Sequence, residues 1–200
     1  MPTRQQILSA GQEILLSEGL RAITTSEIAR RARVSKKTLY NLFPDKDALV
    51  EAIVVSFMER NLLRWDAILE RETSAMDRIL ASLEFMSQFM PQIQSHLIQQ
   101  VETVAPHLWE RIGEIRLKRL RKLKGLMEEA QGEGFFRPDV DPDHWILLLT
   151  GTVQSVLTPK VLLRTGIPLL ALVQCLKAVY YDGLLTDKGR QYIAAKEASS

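Results

Sequence analysis

Between Lys36 and Asn41 the chain carries Lys36, Lys37, Thr38, Tyr40 and Asn41, a set able to address the edges of DNA bases. A lysine donates to guanine O6 and N7, an asparagine pairs bidentately with adenine, and a threonine offers both a methyl and a hydroxyl. The Tyr40 hydroxyl, Ser35, Thr25 and Lys46 are groups that hold phosphates and set register without reading sequence. Ser35 also suits the cap of a helix whose first backbone N–H groups point outward and favour a nearby phosphate.

Charge supports an anionic partner for this segment. Residues 24–43 hold Arg30, Arg31, Arg33, Lys36 and Lys37 against Glu27, a net +4, while the whole chain of 200 residues carries only +2. The other 180 residues therefore sum to −2. Charge of one sign concentrated in a short stretch is the footprint of a polyanion-binding surface, although a solvated face has the same composition.

These side chains act together only if a short helix holds them. At about 100° per residue, Leu39, Leu42 and Phe43 fall within roughly a third of the circumference and are expected to be buried. Lys37, Tyr40 and Asn41 then point away, with Lys36 and Thr38 on the shoulders. Before this helix, Thr24 and Glu27 form a capping-box pattern opening another short helix with Ile28, Ala29 and Ala32 on one side. Two short helices joined by a tight turn make a helix-turn-helix unit. Apolar residues recur at helical spacing along the rest of the chain, and no alternating run suggests a strand. Thr3, Asp45, Ser74, Asp141 with Pro142, and Pro106 read as helix starts. Gly19, Pro91, the pair Gly132 and Gly134, Pro159 and Gly183 read as stops. The expected fold is all-α, with about nine helices: a three-helix N-terminal domain over residues 1–47 and a larger helical bundle over 48–200.

The segment resembles the DNA-binding region of the TetR/AcrR family of bacterial transcriptional repressors. The pattern lies in Thr25, Ile28-Ala29, Ala32-x-Val34-Ser35, Thr38-Leu39-Tyr40, Phe43 and Lys46, with Ala10 and Gly19 at matching distances upstream. The likeness covers about residues 5–55. It implies an all-α homodimer with an N-terminal DNA-binding domain and a variable helical domain that binds a small effector. By position, Thr25, Ser35, Lys36, Lys37, Thr38, Tyr40, Asn41 and Lys46 are then the DNA contacts. Arg33 stands where the family usually has a turn glycine. Positive φ there would cost an arginine about 1 kcal/mol relative to glycine, and its guanidinium is expected beside the DNA backbone.

Beyond residue 55 the resemblance is architectural, apart from EGFFRPDVDPDH, which is similar to the connection preceding the family's dimerisation helices. Those helices would be Asp141–Leu157 and Pro168–Leu185, with Trp145, Leu148, Leu149, Thr152, Val156, Leu169, Leu172, Leu176, Val179 and Tyr180 at the interface. A dimer would set two recognition helices about 34–36 Å apart for the half-sites of a palindrome. For the effector, Trp65, Phe85, Met86, Phe89, Met90 and Trp109 supply adaptable apolar walls, although plain core has the same composition. The helix 107–129 places Arg116 and Arg119 inside its apolar arc. A buried guanidinium needs a partner, either an internal carboxylate or an anionic ligand.

Other classes fit poorly. Hydrophobic residues form 46% of the chain and charged residues 25%, which points to a folded globular protein rather than a disordered one. No apolar stretch approaches the roughly 18–20 residues of a membrane helix, and MPTRQQILSAGQ lacks a secretory apolar run, so a cytoplasmic protein with no membrane partner is expected. Cys175 is the only cysteine, and a lone cysteine forms neither an intrachain disulfide nor a zinc site. Glu-x-x-His pairs, phosphate loops and nucleophile motifs are missing, so no enzyme activity, metal or cofactor is expected. Asp141, Asp143 and His144 could be drawn as metal ligands, but Asp141 before Pro142 is better explained as a cap. The expected function is a ligand-responsive repressor that binds a palindromic operator as a dimer and is released by a small, largely apolar effector. The alternative is a helical ligand-binding or adaptor protein without operator binding.

Overall fold

In the computed structural model, which describes residues 4–71, 74–89, 93, 97, 100, 101, 105 and 107–198, the chain is built from α-helices. Ten are defined: α1 (Arg4–Glu18), α2 (Thr25–Arg31), α3 (Lys36–Leu42), α4 (Lys46–Arg71), α5 (Ala75–Phe89), α6 (His107–Gly132), α7 (Pro142–Val156), α8 (Pro159–Thr165), α9 (Leu169–Tyr180) and α10 (Asp187–Glu197). Two further 3₁₀ turns cover Leu20–Ala22 and Asp182–Leu184. Thr3, Pro91 and Pro106, expected at helix ends, lie outside the described residues, as does Met90. Among the described residues no single helix is long and apolar enough to cross a membrane.

Local chemistry sets most of the boundaries. Thr24 accepts from the Glu27 N–H, Ser35 from the Thr38 N–H, and Asp45 from the Ala48 N–H at 2.8 Å, each supplying an acceptor to an otherwise orphaned donor. Asp141 Oδ1 accepts from both Asp143 and His144 N–H groups, so it caps α7. Pro159 stands beyond the end of α7 at Val156, as expected, and also opens a further helix. Capped by Thr158, it occupies the first turn of α8, where its missing N–H costs nothing. Thr186 likewise caps α10, a helix beyond the last one expected from the sequence.

The chain divides into two compact units, residues 1–63 with 92–115, and 64–91 with 116–200. In the first, α1, α2, α3 and the start of α4 enclose a core containing Ile7, Ile14, Ile28, Leu39, Phe43 and Ile53. Full burial of such side chains stabilises the fold by roughly 1.5–3 kcal/mol each. The second unit centres on Met76, Met127, Phe136, Trp145, Leu149 and Tyr181. An antiparallel bridge, Phe136 with Leu185, ties the segment after α6 to the segment before α10.

Candidate nucleic-acid interface and ligand cavity

The α3 helix is only seven residues long, so burial of Leu39 and Phe43 fixes its rotation. Leu39 is 1% and Phe43 3% exposed, whereas Tyr40 is 51% exposed and Lys37 and Asn41 are both exposed. Leu42 departs from expectation. It is 42% exposed, because the line through Leu39 and Phe43 faces the core and the last residue of so short a helix falls beside that line. Lys36 and Lys46 are exposed, and Thr25 and Thr38 are half-buried. The exposed Ser35 joins its hydroxyl to Thr38 Oγ1 at 2.9 Å, orienting both hydroxyls at the helix start.

The basic charge is unevenly neutralised. Glu27 accepts from Arg30 Nη2 at 2.5 Å and Arg31 Nε at 2.7 Å, and Arg31 also pairs with Glu18. Hydrogen bonds from Arg30 and Arg31 hold the Glu27 carboxyl down at about 2, from an ordinary 4.5. Among the described residues Arg33, Lys36, Lys37 and Lys46 make no salt bridge. The cations left for a polyanion therefore cluster in the turn, on α3 and at the start of α4.

Arg33 carries the backbone cost foreseen for it. Its φ is 54°, and it is the only non-glycine residue at positive φ among the described residues. The Val34 N–H donates to the Ala29 carbonyl and the Arg33 N–H to the Arg30 carbonyl, a Schellman ending for α2. The same pair of bonds closes α6, where Phe135 donates to Ala130 and Gly134 donates to Gln131. There the left-handed position is glycine, at φ 77°.

In the second unit a cavity of about 190 Å³ is walled largely by apolar side chains, with Arg116, Arg119 and Lys177 also on its lining. Met86 is on its wall. Trp65 and Phe85 sit behind Arg119, whose guanidinium carbon lies 4.7 Å and 5.5 Å from their ring centroids. Phe89 is buried and stacked on Phe85 at 5.9 Å. Trp109 belongs to the first unit and is not on the cavity wall. Arg116 donates to the Leu157 carbonyl at 3.3 Å. Burial depresses both arginines, Arg119 to about 10 against an opposing effect of Asp66, so Arg119 stays charged at neutral pH. The walls that sequence reasoning missed include Tyr180, Tyr181, Trp145 and Leu149. All of these but Tyr181 had been assigned to a dimer seam, Trp145 and Leu149 among them.

That assignment is corrected by burial. Trp145, Leu149 and Val153, four residues apart, face the interior of their own unit, and Trp145 Nε1 donates to the Tyr180 carbonyl at 2.8 Å. The outward side of α7 carries Leu147, 70% exposed, and Leu148, 62% exposed, with Thr152 and Val156 half-buried. On α9, an apolar helix, no residue is buried. Leu169, Leu172, Leu176 and Tyr180 are half-buried and Val179 is exposed, although Leu176 and Tyr180 also reach the cavity. Contiguous exposed apolar surface of this kind marks an interaction face.

Comparison with known proteins agrees with this geometry. Residues 7–53 match the model of the family described as bacterial regulatory proteins, tetR family. The HTH-type transcriptional regulator YvkB of Bacillus subtilis is 45% identical over 53 residues, which cover 26% of this chain and 28% of that protein. The HTH-type transcriptional repressor KstR2 of Mycolicibacterium smegmatis is 26% identical over 145 residues, 70% of each chain. Among solved structures, FadR of Bacillus subtilis in complex with stearoyl-CoA superposes with a TM-score of 0.59 at 20% identity, covering 91% of this chain and all of that one (100%).

Proposed function

The chain belongs to the TetR family of bacterial regulatory proteins, and from that premise we propose a cytoplasmic, effector-released repressor that binds a palindromic operator as a homodimer. Residues 1–47 form the DNA-binding domain of this reading, and residues 48–200 carry the effector site and the dimer face. The observation that carries it is the exposed Lys37, Tyr40 and Asn41 face of α3, held outward by buried Leu39 and Phe43. Lys37 and Asn41 address base edges in the major groove. Ser35, Thr25, Lys36, Thr38, Tyr40 and Lys46 grip the backbone on either side, and Arg33 adds a phosphate contact.

Dimerisation runs through α7 and α9, with Leu148, Thr152, Val156, Leu169, Leu172 and Val179 at the seam. Two recognition helices then meet successive major grooves on one face of the duplex. The effector is a small, largely apolar molecule in the α5–α6–α7–α9 cavity. FadR of Bacillus subtilis holds stearoyl-CoA on the same fold, which supports a ligand-binding role for the larger domain. Effector binding favours a dimer whose recognition helices no longer match the two half-sites, a shift of population that releases DNA.

Selection of bound duplexes from a randomised pool by the purified full-length protein tests this reading. The expected winner is an inverted repeat bound with steep salt dependence, since about 6–10 phosphate contacts weaken affinity by orders of magnitude between about 50 and 200 mM salt. A pool that yields no sequence preference, with binding insensitive to salt, replaces the repressor by a helical adaptor.

A further inference from the structure

The cavity in the second unit has an unbalanced wall. Arg116, Arg119 and Lys177 line it, and among the described residues no aspartate or glutamate does. Lys177 already has a counter-charge, since its ammonium donates to both oxygens of Asp182 at 2.9 and 3.1 Å. Arg119 is differently placed. Its guanidinium packs over Trp65 and Phe85, contacts that stabilise a cation without neutralising it. The acid nearest in effect, Asp66, is bound to Lys122 at 2.6 Å and makes no salt bridge with Arg119.

A half-buried guanidinium stacked on aromatic faces keeps its in-plane N–H donors at its edge, the geometry that suits a carboxylate. The rest of the wall is apolar, with Leu120, Leu123, Met127, Leu149 and Val153 among its residues. An apolar cavity of about 150 Å³ holds one benzene ring, so about 190 Å³ suits an apolar body of about eight carbons.

We propose that this cavity binds a small monocarboxylate with a compact apolar body, its carboxylate held at the edge of Arg119 and its body between α6 and α7. The inference rests on the reading of the cavity as the effector site and adds the chemical class of its occupant. A cationic ligand meets three like charges on this wall. A neutral ligand fills the apolar space and leaves Arg119 without an anion.

Isothermal titration of the full-length protein with 4-ethylbenzoate and its neutral isostere 4-ethylbenzamide, at neutral pH, tests the proposal. The benzoate is expected to bind about tenfold or more tightly than the amide, equivalent to about 1.4 kcal/mol. In Arg119→Met, which keeps the stem and loses the charge, the two should bind within about twofold of each other, and Arg119→Lys should restore a preference for the acid. The ratio in the unaltered protein decides the question even if Arg119→Met folds poorly. Equal binding of amide and benzoate overturns the acidic head and leaves the effector site standing. A preference for the acid that survives in a folded Arg119→Met overturns the assignment to Arg119. Binding of neither compound overturns the proposal and the effector-site reading together.

Discussion

Replacing Arg33 by glycine should move stability and DNA affinity in opposite directions. The φ of 54° puts an L side chain in the left-handed region at the end of α2, while the equivalent position after α6 is Gly134. Left-handed backbone costs a non-glycine residue roughly 1–2 kcal/mol, partly offset by glycine's larger entropy loss on folding. The net gain for Arg33→Gly is about 1 kcal/mol, a rise in Tm of about 2–4 °C for a chain of this length. On DNA the same change removes one cation from each half-site. Each lost phosphate contact lowers the slope of log K against log salt by about 0.9, so a dimer loses about 1.8. At about 0.1 M salt the loss is roughly tenfold in affinity per half-site. Thermal melts and salt-titrated fluorescence anisotropy on the selected operator measure both quantities, with Arg33→Lys as the control that keeps charge and strain. An Arg33→Gly protein that binds at least as tightly across the salt series with an unchanged slope refutes the phosphate contact. An unchanged or lower Tm refutes the strain.

Asn41→Ala should relax base preference at one operator position at a cost of about 1–3 kcal/mol, whereas Lys46→Ala should weaken binding to all duplexes alike and reduce the salt slope by about 1 per half-site. Competition anisotropy with single-base operator variants separates the two. The folded-state pKa of Glu27 lies below its ordinary value, so the stability it contributes is complete above about pH 4.5 and is lost as pH falls toward about 2. Glu27→Gln should lower Tm at pH 7 and flatten that acid limb, read from melts across the range. Leu148→Glu places a charge on the exposed face of α7 and should raise the dimer dissociation constant at least about 100-fold in sedimentation equilibrium. Gly11→Ala drives a methyl into the Ile53 side chain where α1 crosses α4. Overpacking there should cost about 1–3 kcal/mol in urea denaturation, with partial recovery in the double variant with Ile53→Val.

The elements legible in the sequence are those whose ends are set by neighbouring residues. Thr24, Ser35, Asp45 and Asp141 cap the helices expected of them because a cap reaches only two or three residues along the chain. The helix-turn-helix face was legible for the same reason, since the rotation of α3 follows from Leu39 and Phe43 alone. Leu42 was misplaced because a helical wheel treats a helix end like its interior. The α8 helix was missed because proline both ends one helix and opens the next. The α10 helix was missed because Gly189 interrupts its pattern in the first turn, while Thr186 and contacts distant in sequence hold it. The inward turn of Trp145 and Leu149 was hidden too. An apolar stripe shows that something covers it, and only the packed unit shows that the cover is the same chain.

Charge follows the same division between near and far. Glu27 neutralises Arg30 and Arg31 from three and four residues away, a pairing any helical wheel contains. Whether Arg119 met a carboxylate or an aromatic face depended on Trp65 and Phe85, more than thirty residues upstream. Its position inside an apolar arc was visible, and its partner was not. Among the described cations that make no salt bridge, two sets differ in character. Arg33, Lys36, Lys37 and Lys46 stand in solvent, where they add to a field suited to a long polyanion and weakened by salt. Arg119 is half-buried against Trp65 and Phe85, where a carboxylate would be less screened than in open solvent. One chain thus carries two anion-binding problems at different dielectric, which is why salt concentration should govern the DNA site strongly and the cavity weakly.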